Sequence, residues 1–172
     1  MIEEGCEARV HSHLFAGLTQ YPAALILGWS PPNAKAYKAP NVVFPRLNGQ
    51  GRRIGAYRVD AVFILKDILF LAEIKCRSSE SQRDVRKLRH IRETLGLEGV
   101  VRSLKRQGVT VPPCRELVLA IGTEVLDSEI PHEFVSLQKD GPYLPVSYGA
   151  GVPESARGIV DTWVDHLRKN KR

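Results

Sequence analysis

The chain has 172 residues, of which 43% are hydrophobic and 26% are charged, as in an ordinary soluble globular protein of one domain. No stretch approaches the roughly 18 continuous apolar residues of a membrane helix, and the acidic start, Met1–Glu4, is unlike a secretory signal. The formal net charge of +6 suggests a polyanionic partner.

Three cysteines, Cys6, Cys76 and Cys114, lie far apart in the sequence. Their number is odd and their spacing matches neither a zinc site nor a disulfide framework. We therefore expect isolated thiols and a cytoplasmic protein. The whole of 1–172 is expected to form one domain, with a core over about 1–125 and a C-terminal strand, loop and helix over 128–172.

Residues 2–18 are predicted to form the first helix. Its apolar stripe, at 100° per residue, consists of Val10, Leu14 and Leu18. Glu7 lies near the centre of that stripe, where an acid is costly without a partner, so it is a candidate functional residue. Glu3 is the alternative candidate, and a surface acid on a frayed first turn is the other interpretation. His11 and His13 are expected at the boundary or in solvent rather than as ligands.

Residues 23–29 form a short apolar run suited to a first strand. Prolines punctuate 30–56, which predicts mostly loop with one short strand at 42–44. The glycine-containing stretch 48–53 is basic, and its arginines with the one just before it are Arg46, Arg52 and Arg53. Arginine forks contact phosphate oxygens, so we expect DNA contact here, with a solvated hairpin tip as the alternative.

Residues 58–75 consist of two apolar limbs separated by the polar pair Lys66–Asp67. This pattern predicts two antiparallel strands joined by a tight turn. Both limbs are apolar on both faces, which is typical of central strands buried on two sides.

A turn centred on this pair places Asp60 directly opposite Glu73, and Lys75 projects from the same face as Glu73. Opposed side chains on neighbouring strands have Cβ atoms about 4.5–5.5 Å apart, where like charges destabilise the pair. Poorly solvated carboxylates this close must share a proton, pair with a cation or hold a metal. Carboxylate oxygens with open positions suit Mg²⁺, and a neighbouring lysine can orient water or stabilise charge on phosphorus.

Serines at 78–81 offer N-caps for a helix that runs to about Leu95 and ends at Gly96, and a second helical piece covers 99–107. The predicted outer face of the first piece is basic and carries Arg83, Arg86, Lys87, Arg89 and Arg92. This face follows Arg77 and the strand that bears Glu73. We interpret it as a surface for phosphates, with an ordinary solvated face as the alternative.

Residues 115–122 predict a buried strand, parallel to the one that carries Glu73 because a helical crossover joins them. A further strand is predicted at 134–137 within a loop region rich in Gly, Pro and Tyr. A last helix is expected over 153–168, and its apolar stripe would close the core or pair with a second copy.

Asp60, twelve intervening residues and then Glu73-Ile74-Lys75 resemble the PD-(D/E)xK nuclease superfamily, with a spacing similar to that of archaeal Holliday-junction resolvases and some restriction enzymes. Val59 stands where the name-giving proline would be. The resemblance implies that Asp60 and Glu73 are metal ligands, that Ile74 lends its backbone carbonyl, that Lys75 is catalytic and that Glu7 approaches the metal.

The resemblance also implies an α/β, restriction-endonuclease-like α-β-β-β-α-β core with a mixed central sheet flanked by helices. The expected function is a Mg²⁺-dependent endonuclease of the junction-resolving or the restriction type, with Mn²⁺ able to substitute. It is expected to act on DNA as a homodimer, without membrane association. The glutamine–tyrosine pair of helicase-linked exonucleases is missing, because Arg86 stands four residues after Gln82. The alternatives are a non-catalytic nucleic-acid-binding module and an assembly subunit that docks through the helix of Trp163.

Overall fold

A computed structural model of the protein describes residues 5–30 and 39–170. Glu3 lies outside the described residues. The described ranges contain three α-helices, α1 Cys6–Thr19, α2 Gln82–Arg106 and α3 Glu154–Lys169, and a short 3-10 helix at Ser78–Glu80. The strands are β1 Ala24–Trp29, β2 Val43–Leu47, β3 Arg53–Arg58, β4 Ala61–Leu65, β5 Ile68–Ile74, β6 Glu116–Thr123, β7 Phe134–Gln138 and β8 Val146–Tyr148.

The main sheet has six strands in the order β1-β4-β5-β6-β7-β8. β5, β6 and β7 are parallel to one another, whereas the β1–β4, β4–β5 and β7–β8 pairs are antiparallel. The predicted α/β class, mixed sheet and parallel pairing across the helical crossover are therefore confirmed. None of the described helices is long and apolar enough to cross a membrane.

The β4–β5 hairpin has the predicted register. Leu65 pairs with Ile68 and Ala61 pairs with Ala72 across a two-residue turn, in which Lys66 adopts a φ of 60°. Every residue of both strands is buried. Alternate side chains enter two separate cores, one beneath α1 and α3 and the other beneath α2. The two-sided apolar pattern of the sequence thus arises because helices cover both faces of the sheet.

Helix α2 runs from Gln82 to Arg106 but contains a break at Gly96, where φ is 64° and ψ is −176°. This is the residue at which the first helical piece was predicted to end. Glycine adopts a positive φ without the steric cost of a Cβ atom, so the helix can change direction there. Both pieces bury apolar residues against the sheet, namely Val85, Leu88, Ile91, Val100 and Leu104.

The segment 43–58 differs from the prediction of loop with one short strand. β2 and β3 form a separate two-stranded sheet, and the Asn48 side chain accepts hydrogen bonds from the backbone N–H groups of Gln50 and Arg52 in the connecting turn. β3 was missed because five of its six residues are exposed, so it has no apolar periodicity to detect. β8 was missed because its three half-buried residues lie within a loop-like composition.

Helix α3 packs against α1 and completes one of the two cores. Trp163 is fully buried, and its Nε1 donates a hydrogen bond to the carbonyl of Gly17 at 3.0 Å. A Cβ atom at Gly17 would lie 3.3 Å from Leu167 and 3.5 Å from Trp163, so the small residue permits the close approach of the helices. The apolar stripe of α3 therefore closes the core, and Trp163 offers no docking face.

The prediction that the cysteines are isolated was wrong. Cys6 and Cys76 form a disulfide with Cα atoms 5.3 Å apart. The 70 residues between them in sequence concealed this proximity, which arises because α1 begins beside the end of β5. Cys114 is a free, half-buried thiol.

Candidate active site

Asp60 and Glu73 meet immediately beyond the last regular pair of the β4–β5 hairpin. The backbone N–H of Asp60 donates a hydrogen bond to Glu73 Oε2 at 2.7 Å, and the backbone N–H of Ile74 donates one to Asp60 Oδ2 at 2.9 Å. Each carboxylate is thus fixed by the backbone of the other strand. Glu73 is only 2% exposed, so its charge requires compensation from nearby cations.

Lys75 lies between two acidic side chains on two different helices. Its Nζ is 3.9 Å from Glu7 Oε1 on α1 and 3.7 Å from Asp84 Oδ2 on α2. Burial raises the pKa of Asp84, while the adjacent Lys75 ammonium opposes this shift. The lysine of the predicted motif is therefore held over the sheet edge by one acid from each flanking helix.

Lys87 provides the positive charge nearest to Glu73. Its Nζ forms an ion pair with Glu73 Oε1 and donates a hydrogen bond to the Arg58 carbonyl at 2.8 Å. Burial lowers the pKa of Lys87, and the nearby Asp60 carboxylate opposes this effect. Lys87 was predicted on the exposed basic face of the helix, but only 20% of its side chain is exposed.

These groups line one open cavity of about 340 Å³. The predicted residues that it brings together are Glu7, Asp60, Glu73, Ile74, Lys75 and Lys87. The cavity also contains residues that sequence reasoning did not select, namely His11, Ser30, Arg58 and Asp84. The structure thus brings the motif residues into one cavity.

His11 was predicted to lie at the boundary or in solvent, which is wrong. It is 1% exposed, its ring meets the edge of Trp29, and its Nδ1 has no hydrogen-bond partner among the described residues. Burial lowers the pKa of His11, and Asp60 opposes that shift. The available sequence signal was its spacing of three and seven residues from Leu14 and Leu18 of the apolar stripe, which places it on the buried side of α1.

Asp84 and Lys87 could also have been found from the sequence. They are three residues apart and flank the buried positions Val85 and Leu88, so they lie at the edge of the buried face of α2. An acid in the first turn of a helix is also favoured by the helix dipole, so its position alone does not distinguish a site residue.

The remaining predicted DNA-binding residues lie outside the cavity. Arg46, Arg52 and Arg53 are exposed on the β2–β3 hairpin, and the Arg46 guanidinium lies 5.5 Å from the centre of the Tyr57 ring. Arg83 and Arg86 are exposed on the first turns of α2.

Arg77 follows β5 but does not line the cavity. Its guanidinium contacts Asp127 at 3.5 Å and Glu80 at 4.0 Å. These two acids already supply it with opposite charge.

The donor set at Asp60 and Glu73 suits a hard divalent cation. Each carboxylate has one oxygen bound to a backbone N–H, which orients the carboxylate and leaves its second oxygen directed to other partners. The Lys87 ammonium lies on Glu73 Oε1, so a metal ion bound there would take the place of this ion pair. Mg²⁺ commonly binds one or two carboxylates and completes its coordination with water and phosphate oxygens.

A second cluster of potential ligands lies nearby. Among the described residues, the three that bring ligand atoms within 4.8 Å of one another are Cys6, Cys76 and Glu124. The two sulfurs are joined as a disulfide, and Glu124 is bound by Arg9 at 2.9 Å. Neither the sulfurs nor this carboxylate is free to bind a cation in this state.

Comparisons of the chain with protein-family models, with curated proteins and with solved structures found no match.

Proposed function

We propose that the protein is a Mg²⁺-dependent endonuclease that hydrolyses DNA phosphodiester bonds. One observation carries the proposal: Asp60, directly before β4, and Glu73, on the adjacent antiparallel β5, meet in a single cavity with Lys75 and Glu7. Paired carboxylates with an adjacent ammonium group are suited to phosphoryl chemistry, in which charge stabilisation and positioning supply most of the catalysis.

Asp60 and Glu73 would hold the metal, with the Ile74 carbonyl beside them. When bound, the metal would supply Lewis-acid activation of water and stabilisation of negative charge on the phosphate oxygens. Lys75 would orient the attacking water or stabilise charge at phosphorus. Glu7 and Asp84 hold the Lys75 ammonium at 3.9 Å and 3.7 Å and restrict where it can point.

The order of elements supports the same proposal. α1, β1, β4, β5, α2 and β6 follow one another as α-β-β-β-α-β, with the β2–β3 hairpin inserted after β1. This is the order expected of a restriction-endonuclease-like core.

DNA is the proposed substrate because exposed arginines lie on two elements that also contribute residues to the cavity, namely the β2–β3 hairpin through Arg58 and α2 through Asp84 and Lys87. The exposed arginines of the hairpin and of the first turns of α2 could neutralise backbone phosphates. A homodimer would allow two such sites to cut both strands of a duplex or junction.

The test is incubation of the purified protein with Mg²⁺ or Mn²⁺ and duplex, flap, four-way-junction and single-stranded DNA. We expect metal-dependent cleavage of at least one substrate, and loss of cleavage in Asp60→Asn. Asp67→Asn is a matched control, because Asp67 lies in the same hairpin at the opposite end of the strands. Unchanged DNA under all metal and salt conditions, or cleavage that survives Asp60→Asn, contradicts the proposal.

The second candidate function is a nucleic-acid-binding module that does not cut. The Lys87 ion pair favours it, because Glu73 is already neutralised without a metal. This candidate predicts salt-sensitive DNA binding that is independent of divalent cations and unchanged in Lys75→Ala. Calorimetric titration of Mn²⁺ separates the two, since only the nuclease requires a metal site that Asp60→Asn abolishes.

A further inference from the structure

The disulfide lies directly beside the candidate active site. Cys6 immediately precedes Glu7 at the start of α1, and Cys76 immediately follows Lys75 at the end of β5. Glu7 and Lys75 themselves form the 3.9 Å ion pair across the same two elements. The covalent bond and the ion pair therefore connect the same helix start to the same strand end.

Besides the disulfide, the first turn of α1 is held by the partly exposed ion pair of Arg9 with Glu124 at 2.9 Å. Its N-cap is Gly5, which provides no side-chain hydrogen bond to the free N–H groups of the helix start. The Glu7 side chain is 45% exposed, and partly exposed ion pairs contribute little to stability. The disulfide is thus a stronger restraint on Glu7 than its ion pair with Lys75.

The structure around Cys6 and Cys76 can accommodate both the disulfide and the two reduced thiols. The Cα atoms of Cys6 and Cys76 lie 5.3 Å apart, within the range that a disulfide spans without backbone movement. Glu124 Oε2 lies 2.7 Å from Cys6 Sγ, so a reduced Cys6 thiol would have a carboxylate acceptor. Both cysteines are half-buried rather than enclosed, and small thiol reagents can reach them.

We propose that Cys6 and Cys76 are positioning residues for Glu7, and that reversible disulfide formation between them controls the activity of the site. The proposal rests on the proposed nuclease function. In the reductive step a dithiol attacks the disulfide and breaks the S–S bond. Cys6 and Cys76 receive two electrons and two protons as thiols, and the dithiol becomes its own disulfide.

The reduced protein would keep its fold, because both cores are formed without the sulfurs. Only the start of α1 would gain freedom, and Glu7 would lose its fixed position beside Lys75. Misplacement of a positioning group by about 1 Å can lower the rate up to about 100-fold. We therefore expect reduction to lower kcat, by no more than Glu7→Gln lowers it, with little change in KM.

The first experiment is independent of catalysis. The protein is equilibrated with reduced and oxidised dithiothreitol, alkylated and analysed by mass spectrometry, and amide hydrogen exchange is measured in both states. We expect Cys6 and Cys76 to be unreactive towards alkylation in the oxidised protein, and both to become alkylated at the same dithiothreitol ratio as the disulfide is reduced. Exchange should accelerate at 9–12, whose N–H groups bond to the carbonyls of 5–8, but not in α3. Cys114→Ser should respond in the same way as the natural chain. Two thiols that never become oxidised, or exchange at 9–12 that is equal in both states, overturn the proposal.

The second experiment tests whether the disulfide acts through Glu7. kcat and KM are measured for oxidised and reduced protein with and without Glu7→Gln, and the Cys6→Ser/Cys76→Ser variant should match the reduced protein. We expect the effect of reduction on kcat to disappear in Glu7→Gln. A redox effect of equal size in that variant, or none in a natural chain that cleaves DNA, overturns the proposal. If neither state cleaves DNA, the proposed nuclease function and its redox control both fail, and the exchange data decide whether the disulfide restrains α1.

Discussion

The Asp60 carboxylate accepts a hydrogen bond from the Ile74 backbone N–H at 2.9 Å, and Glu73, the residue before Ile74, accepts one from the Asp60 N–H at 2.7 Å. At the point where the β4–β5 pairing ends, the two carboxylates thus take the place of backbone carbonyls as acceptors of hydrogen bonds between the strands. They have a structural role in the strand ends as well as the proposed role in metal binding. These two roles can be separated by substitution.

Asp60→Asn should preserve the fold and abolish metal binding, because an amide oxygen can still accept the Ile74 N–H bond but carries no charge. Asp60→Ala should in addition lower the free energy of unfolding by about 1–3 kcal/mol, since it leaves that N–H group without its acceptor. Urea unfolding and Mn²⁺ titration of both variants test this. Equal stability of the alanine and asparagine variants would show that the hydrogen bond contributes nothing.

Lys87→Ala should destabilise the protein by about 3 kcal/mol, because it removes the cation paired with the buried Glu73 carboxylate. Lys105→Ala, at an exposed position of the same helix, is the matched control. Millimolar Mg²⁺ or Mn²⁺ should restore part of the lost stability of Lys87→Ala, because a divalent cation can replace the ammonium group. Thermal unfolding with and without metal measures both effects, and a melting temperature insensitive to metal would count against a cation site at Glu73.

The double substitution Arg52→Ala/Arg53→Ala should weaken DNA binding. It should also make the slope of log K against log[salt] shallower, by the equivalent of up to about two phosphate contacts. The matched control is Arg168→Ala/Lys169→Ala, which removes the same charge from the exposed end of α3. Fluorescence anisotropy at several salt concentrations gives both slopes. If both variants lose the same affinity, DNA binding depends on the net charge of the protein and not on contacts made by the hairpin.

The ionised Asp127 carboxylate should stabilise the folded protein at neutral pH, and this stabilisation should be lost in acid. Its carboxylate accepts hydrogen bonds from the Ser79 N–H and the Ser79 and Ser78 hydroxyls, and these lower the pKa of Asp127 to about 2. A depressed pKa stabilises the fold above the unfolded-state value of about 3.9, and this contribution is lost as the pH falls towards 2.

The stability difference between the natural chain and Asp127→Asn should therefore be largest above pH 4 and narrow as the pH falls from 4 to 2. Denaturant unfolding across this range measures it, with Glu129→Gln as a substitution of an exposed acid in the same loop. A difference that stays constant with pH would show that the Asp127 bonds do not depend on its charge.

The central hairpin could be predicted from the sequence because its signal is local. Two-sided burial requires continuous apolar limbs, and the polar pair Lys66–Asp67 fixes the turn and with it the alignment of Asp60 with Glu73. The break at Gly96 was also predictable, because glycine is the residue that adopts its conformation at low cost.

The missed features depend on contacts between distant segments. Cys6 and Cys76 approach each other only after α1 packs on the sheet, and no spacing rule contains that information. Lys87 carries the same charge as its exposed neighbours on α2, so the sequence does not set it apart. Its side chain is mostly buried because its ammonium group forms an ion pair with Glu73. β3 has no buried face to generate a pattern, because among the described strands it pairs only with β2 and five of its six residues are exposed.

Helix α2 and Gln107, the residue that follows it, hold the β2–β3 hairpin at three points. Lys87 binds the carbonyl of Arg58 at 2.8 Å, His90 binds the hydroxyl of Tyr57 at 2.9 Å, and the Gln107 side chain bonds the backbone of Val43 at 2.7 and 3.0 Å. The hairpin therefore cannot swing freely, and its arginine-bearing tip stays at a set distance from the paired acids. In a nuclease, that distance would determine how many nucleotides separate the gripped phosphates from the cut, so lengthening or shortening the hairpin should move the position of cleavage along the strand.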